Sequence, residues 1–142
     1  GSLTVRVGSV EMGQGMSTAL AQIAADAIGL PIGQVSTVFA DTSSSPYDQG
    51  TNSSRAVFHM GRAIVDGAAR LQKELLARAS ELLEVSPTDL EIRDGYLAVR
   101  GHPDSRLGFG EIVKRVFGRG GVLRVQFLEF PPHLRPEFHV NV

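Results

Sequence analysis

The sequence contains no cysteine among its 142 residues. This absence excludes disulfide bonds, thiolate metal sites and cysteine-ligated iron–sulfur clusters within the chain. A chain without cysteine also fits a reducing compartment, so we expect a cytoplasmic protein.

The sequence also lacks an excess of charge of either sign and any long apolar run. Its 14 basic and 15 acidic residues give a formal net charge of −1. Such a balance provides no basic face for nucleic acid or an anionic membrane surface. No apolar run approaches the roughly 18 residues that a membrane-spanning helix needs. We therefore expect no nucleic-acid partner and no membrane span.

The composition that remains is typical of a globular domain. Hydrophobic residues make up 42% of the chain and charged residues 20%, which are ordinary values. A chain of this length can form one compact domain with a core. Neither Gly1-Ser2-Leu3 nor Val140-Asn141-Val142 carries a leader or a capping signal. We expect residues 1–142 to be a single domain cut from a longer polypeptide.

Hydrophobic periodicity indicates an alternation of strands and helices. Leu3, Val5 and Val7 alternate with polar residues, as in a half-buried strand. Helical spacing follows from Met16 to Ile28, and Gly29 is typical of a helix end. The later elements are a strand at 35–40, a helix at 57–82, a hairpin around Asp94-Gly95, a short helix at 107–117 and a strand at 122–130. This order predicts an α+β domain with a mixed β-sheet and helices packed mainly on one face.

The first candidate site is the loop between the first strand and the first helix. It contains Gly13-Gln14-Gly15, in which the two glycines permit positive φ and close approach to a ligand. Gln14 offers both a donor and an acceptor, and the free N–H groups that begin a helix can hold an anion or a polar ring edge. By itself this pattern also fits an ordinary tight turn.

The second candidate site is the polar stretch from Asp41 to Ser54, which leads into the long helix. A loop of this length without structure is uncommon in a compact domain and is often functional. Its last part, Gly50-Thr51-Asn52-Ser53-Ser54-Arg55, gathers hydroxyl groups, an amide and backbone N–H groups at a helix start, where phosphate binds readily. Ser53 or Ser54 is the predicted N-cap, and Arg55 can add a charge-assisted contact. The alternative is a capped helix after a solvated loop.

The two loops together favour a binding site more strongly than either does alone. Both lead into helices, and we expect the strands that precede them to be neighbours in one sheet. A single elongated polar cofactor then has two helix N-termini along which to lie.

The residues of both loops resemble a known family. The runs VEMGQGMSTALAQIAADAIGLP and VSTVFADTSSSPYDQGTNSSRAVFHMGRAI are similar to the molybdopterin-binding large subunit of the xanthine dehydrogenase / aldehyde oxidase / carbon monoxide dehydrogenase family. The resemblance is close over residues 1–83 and looser through the hairpin and the short helix. It implies an oxidoreductase that hydroxylates a purine, an aldehyde or an N-heterocycle with water as the oxygen source.

The resemblance also implies how the residues act. Gly13, Gln14 and Gly15 then lie against the pterin near molybdenum, and Gly50, Thr51, Asn52, Ser53, Ser54 and Arg55 lie along the phosphate side. The implied cofactor is molybdopterin, in bacterial members usually the cytosine dinucleotide form. Its implied partners are the remainder of the molybdenum subunit, iron–sulfur subunits or domains, FAD subunits or domains in some members, and a small-molecule substrate.

The resemblance supplies no catalytic residue and no side-chain metal ligand within this chain. In the family a glutamate near the end of the subunit acts as the base. The pair Gly110-Glu111 matches that motif only superficially, and we interpret Glu111 as a surface helix residue. We therefore expect the isolated chain to bind no cofactor and to be inactive. The alternative function is a non-catalytic scaffold or interaction domain that keeps the fold.

Other polar residues carry weaker signals. His59, His102, His133 and His139 show no metal-ligand spacing. Asp41 and Asp48 can be read as a carboxylate pair for acid–base work. We interpret them instead as turn residues that bond their own backbone.

Overall fold

The computed structural model describes residues 1–39, 41, 43, 45, 48–127 and 138–141, with the backbone alone for residues 126, 127 and 138–141. Within these residues the chain forms two β-sheets and three α-helices. The strands are β1 (Leu3–Val7), β2 (Val35–Phe39), β3 (Leu90–Arg93), β4 (Tyr96–Val99), β5 (His102–Gly108), β6 (Arg124–Phe127) and β7 (Phe138–Asn141). The helices are α1 (Met16–Ile28), α2 (Ala56–Leu83) and α3 (Phe109–Phe117). The predicted α+β class is confirmed.

The first two strands form a parallel pair that α1 connects. Their register runs from Leu3 opposite Val35 to Val7 opposite Phe39. Parallel neighbours need a crossover connection, and the amphipathic helix α1 provides it. The expectation that these two strands are neighbours is confirmed. Because they run in the same direction, the chain leaves both of them at the same edge of the sheet.

Two further strands complete this sheet in the order β2-β1-β7-β6. β7 pairs antiparallel with β1 on one side and with β6 on the other, so the sheet is mixed. The predicted final strand at 122–130 corresponds to β6. Residues 128–130 of that prediction, together with Pro131-Pro132, lie outside the described residues.

Helices α1 and α2 pack against each other and cover the sheet face that carries Leu3, Val5 and Val7. α1 ends at Gly29, as predicted, where φ is 79° and the N–H donates to Ala25 O. Gly61 of α2 is buried, and a Cβ there would lie 3.1 Å from Ile23 Cδ1 of α1. The glycine therefore permits the two helices to pack closely here.

The second sheet, β3-β4-β5, lies beyond the C-terminus of α1. Its hairpin turns at Asp94-Gly95, where φ is 49° and 80°, as the sequence predicts. The short helix begins at Phe109 rather than Leu107, because the chain before it is the strand β5. Throughout the described part of the chain, no helix has both the length and the apolar character needed to cross a membrane.

Candidate functional site

Two loops emerge from the shared edge of the parallel strands. The first loop, residues 8–15, leaves β1 and enters α1. The second loop, for which residues 48–55 are described without a gap, follows β2 and enters α2. Ligands of sheets with parallel strands commonly bind at the carboxyl ends of those strands. The fold thus brings the two predicted motifs to one side of the molecule.

The backbone carbonyl of Val10 joins the two loops. Its oxygen accepts a hydrogen bond from Thr51 Oγ1 of the second loop at 3.0 Å. It also accepts one from Gln14 Nε2 of the first loop at 3.1 Å. A carbonyl oxygen has two lone pairs, and both have a donor here. The two predicted sites are therefore joined by hydrogen bonds to one carbonyl oxygen.

The side chain of Gln14 is exposed and turns back over its own loop. Its Oε1 accepts a hydrogen bond from the Met12 N–H at 2.6 Å, and its Nε2 donates to Val10 O. A primary amide has two N–H groups and two oxygen lone pairs. One donor and one acceptor position of Gln14 therefore remain for a ligand above the loop.

A carboxylate that sequence analysis did not single out occupies the start of α1. Glu11 Oε2 accepts from the Ser17 N–H at 2.7 Å, and Glu11 Oε1 accepts from the N–H groups of Gly13 at 3.0 Å and Gly15 at 3.2 Å. These bonds, with that from Ser17 the largest cause, lower the pKa of Glu11 despite its partial burial. The N–H groups that we expected to be free for an external anion are thus already bonded to this internal one.

An ion pair holds the second loop together. Arg55 Nη1 lies 3.8 Å from Asp48 Oδ1, and the two side chains are 11% and 0% exposed. Arg55 Nη1 also donates to Gly50 O at 3.1 Å, and Asp48 Oδ1 accepts the Gly50 N–H at 2.7 Å. These contacts of Arg55 lie within its own loop, and its predicted contact with a cofactor anion stays a prediction.

The last residues before α2 adopt an unusual backbone conformation. Ser53 and Ser54 have φ of 50° and 54°, in the left-handed region that residues with a Cβ seldom adopt. Such residues cluster at ligand sites because their strain must be held by the surrounding structure. They lie before the helix and do not cap it, so the prediction that Ser53 or Ser54 is the N-cap is wrong. The N-cap is Arg55, whose side chain makes no capping hydrogen bond.

The two helix starts consequently differ. At α1 the Glu11 carboxylate bonds the loop and first-turn N–H groups, whereas at α2 the described residues provide no side-chain cap. The positive end of a helix dipole attracts anions, and uncapped N–H groups are donors for them. Of the two predicted anion sites, the one at α1 is therefore occupied by a carboxylate of the chain, whereas the described residues place no such carboxylate as a cap at α2.

The remaining predicted residues are distributed as follows. Asp41 Oδ1 accepts hydrogen bonds from the N–H and hydroxyl of Ser43, which with the Asp48–Gly50 bond confirms that both aspartates act as turn residues. Glu111 lies in the first turn of α3 and pairs with Arg115, which confirms that it is a surface helix residue. His133 lies outside the described residues. Among the described ones, no group of three or more His, Cys, Asp or Glu could hold a metal ion.

The groups that were not identified from the sequence make contacts within or between the two loops, which fix the loop conformation. Glu11, the Val10 carbonyl and the Asp48 ion pair belong to this group. A signal for Glu11 was present in the sequence, because an acidic residue shortly before a helix start is favoured by the helix dipole. The Val10–Thr51 bond had none, since it joins residues 41 positions apart.

Comparison with known proteins agrees with this geometry. Residues 1–137 match the family described as the molybdopterin cofactor-binding domain. The chain is 33% identical over 117 residues to the large subunit of nicotine 6-hydroxylase from Paenarthrobacter nicotinovorans, which covers 82% of this chain and 14% of that subunit. It is 29% identical over 108 residues to the xanthine dehydrogenase molybdenum-binding subunit of Escherichia coli O157:H7, which covers 75% of this chain and 14% of that one.

A solved structure shares the fold as well. The carbon monoxide dehydrogenase of Oligotropha carboxidovorans matches 99% of this chain and 16% of its own, with a TM-score of 0.75 and 29% identity. The chain therefore belongs to the molybdopterin cofactor-binding domain family. This membership confirms the resemblance to the large subunits of molybdenum hydroxylases. The chain spans about 14% of the length of the curated relatives that it matches.

Proposed function

We propose that this chain holds molybdopterin across its two loops, as part of an oxidoreductase that hydroxylates a small purine, aldehyde or N-heterocycle with water. The single observation that carries the proposal is the hydrogen bond from Thr51 Oγ1 to Val10 O. It joins the Gln14 loop to the polar loop before α2, so one elongated ligand can contact both.

The chemistry of the two loops fits the two ends of such a cofactor. On the first loop, the free donor and acceptor positions of Gln14 match a pterin edge, which alternates N–H, N and C=O groups. Beside them, the side chain of Met12 is 67% exposed and offers apolar surface to a flat ring. We propose that Gly13, Gln14 and Gly15 contact the pterin end.

On the second loop, the start of α2 matches an anionic group. The hydroxyls of Thr51, Ser53 and Ser54 and the amide of Asn52 come just before this helix start in the chain. The helix start lacks a side-chain cap within the described residues. Backbone N–H groups and hydroxyls bind phosphate without a full positive charge. We propose that Gly50 to Arg55 hold the phosphate side, and that Arg55 does so by fixing the loop through Asp48.

When bound, the molybdenum cofactor supplies the redox centre of the hydroxylation. The residues of this chain bind and orient it. The base that moves the proton is expected elsewhere in the protein, as are the substrate pocket and the iron–sulfur or FAD partners. The cytosine dinucleotide form belongs to the same proposal, since the resemblance implies it for bacterial members and the Paenarthrobacter and Escherichia relatives are bacterial. A cytoplasmic location belongs to it as well, because the sequence has no cysteine.

The test is the cofactor content of the intact protein that carries this chain. We expect stoichiometric molybdenum by metal analysis, a fluorescent pterin after oxidative release, and CMP after hydrolysis of the dinucleotide. An intact protein with neither molybdenum nor pterin would contradict the proposal and favour the scaffold function.

A paired substitution tests the observation on which the proposal depends. Thr51→Val removes the hydroxyl that bonds Val10 O, while Thr51→Ser keeps it. We expect Thr51→Val to lose pterin on dialysis roughly tenfold faster than the unsubstituted protein, which is the scale of one hydrogen bond, and Thr51→Ser to retain it. Equal retention in both variants would show that the bond between the loops does not support binding.

A further inference from the structure

The carboxylate of Glu11 lies inside the first loop and faces backbone N–H groups on both sides of Gln14. It bonds Gly13 and Gly15 through one oxygen and Ser17, in the first turn of α1, through the other. Gly13 and Gly15 have φ of 94° and 76°. Glycines adopt this conformation freely but add no stiffness of their own.

Besides Glu11, the side chains of Gln14 and Thr51 hold the loop, and both donate to the Val10 carbonyl. The residues from Gly8 to Gly15 belong to no helix or strand. The exposed Gln14 amide bonds Val10 and Met12 within the loop. The Glu11 carboxylate instead connects the loop to the first turn of α1 through Ser17. A ligand that bonds Gln14 can displace its bonds to the loop, and the Thr51 bond reaches only Val10. Glu11 is therefore the contact that keeps the backbone from Gly13 to Ser17 in place when the cofactor binds.

We propose that Glu11 is the positioning residue of the first loop: its carboxylate fixes the backbone from Gly13 to Ser17 and thereby holds Gln14 where it contacts the cofactor. This inference rests on the proposed function, since it concerns how the loop presents Gln14 to molybdopterin. Glu11 itself contacts only the protein.

Both oxygens of Glu11 are needed as acceptors. A glutamine at this position has one acceptor oxygen and one NH₂ group, which is a donor. If its oxygen faces Gly13 and Gly15, its NH₂ faces the Ser17 N–H, and in the other orientation it faces the two glycines. Glu11→Gln therefore keeps the size of the side chain but places a donor against a donor in either orientation.

The experiment uses the intact protein and combines three measurements on Glu11→Gln. Hydrogen exchange followed by mass spectrometry reports on the peptide that spans residues 10–19. Dialysis followed by pterin analysis reports retention, and visible circular dichroism reports the environment of the bound cofactor. We expect exchange in this peptide to be about tenfold faster, the scale of losing a hydrogen bond to a charged acceptor. We also expect several-fold lower retention and an altered dichroism spectrum.

Gly29→Ala is the matched control, because it destabilises the far end of α1 without touching the first loop. If Glu11 only stabilises the fold, Glu11→Gln and Gly29→Ala both lower the stability of the protein, and both retain the same amount of pterin. Unchanged exchange, or unchanged retention and dichroism in Glu11→Gln, would overturn the inference while the proposed function stands. If the unsubstituted protein holds no pterin, the proposed function fails and this inference fails with it.

Discussion

At the scale of single residues, Glu11 shows how a carboxylate of the chain itself can bond the N–H groups at the start of a helix. Its carboxylate accepts hydrogen bonds from three backbone N–H groups, those of Gly13, Gly15 and Ser17. Hydrogen bonds of this kind stabilise the ionised form, so they lower the pKa of the carboxyl group, with the bond from Ser17 as the largest cause. The hydrogen bonds that hold the loop therefore depend on the protonation state of Glu11.

The lowered pKa of Glu11 predicts a pH dependence of stability with a defined sign. A carboxylate whose pKa is lower in the folded state stabilises the protein fully above its unfolded value, about 4.3, and this contribution is lost as the pH falls through the folded pKa. We expect Glu11→Gln to lower the unfolding midpoint of the chain at pH 6 by more than at pH 3.

Urea unfolding of both proteins at these two pH values measures the effect. Glu111→Gln is the control, since it removes a carboxylate from exposed α3 that bonds Arg115 rather than backbone N–H groups. A stability gap between Glu11→Gln and the unsubstituted chain that stays the same at both pH values would contradict the assignment.

At the scale of elements, the end of α1 is the junction between the two sheets. Gly95, in the turn of the β3–β4 hairpin, donates its N–H to Gly29 O at 2.7 Å. A Cβ on Gly29 would lie 2.9 Å from Ile92 Cγ2 of β3, and the residue has φ of +79°. Both the backbone conformation and the contact therefore favour glycine at this position.

Gly29→Ala is accordingly expected to destabilise the chain by about 1–3 kcal/mol, from left-handed strain together with crowding against Ile92. Gly33→Ala is the matched control, because nothing lies within 4 Å of a Cβ there, and we expect it to change stability by no more than about 0.5 kcal/mol. Urea denaturation of the two variants measures both values. Equal effects would show that the junction tolerates a side chain.

Elements with a strong local pattern were predictable from the sequence, and elements formed by distant pairing were not. The alternation of Leu3, Val5 and Val7 and the terminal Gly29 fix β1 and α1 locally. β5 was missed because residues 102–106 are all exposed, so no hydrophobic alternation marks them. β7 was missed because it pairs with β1, at the other end of the chain.

The site divides in the same way. The glycines, Gln14 and the polar run from Gly50 to Arg55 could be found from composition, loop length and resemblance. The cap of α2 could not, because the left-handed conformation of Ser53 and Ser54 depends on how the loop is held. The tie between Thr51 and Val10 depends on the parallel pairing of β1 and β2, which only the folded sheet provides.

At the scale of the whole molecule, the two loops form one side of the proposed binding site. The Gln14 side chain is exposed, as are half of residues 48–55 in the second loop. Apolar side chains at the same two loop–helix junctions are exposed as well, with Met12 at 67% and Phe58 at 65%. Small-molecule sites usually enclose about 70–90% of the ligand surface, and these loops offer surface on one face only.

We therefore predict that the isolated 142-residue chain folds but retains no pterin and shows no turnover. The relatives that it matches are about seven times longer, since it spans 14% of their length, and the opposing wall of the site is expected in the remainder. Producing the chain and the intact protein in the same molybdopterin-synthesising cells, and comparing their pterin content after purification, measures this. Circular dichroism controls for folding of the chain. Stoichiometric pterin in the purified chain would show that the two loops alone suffice, and that the rest of the subunit serves catalysis rather than binding.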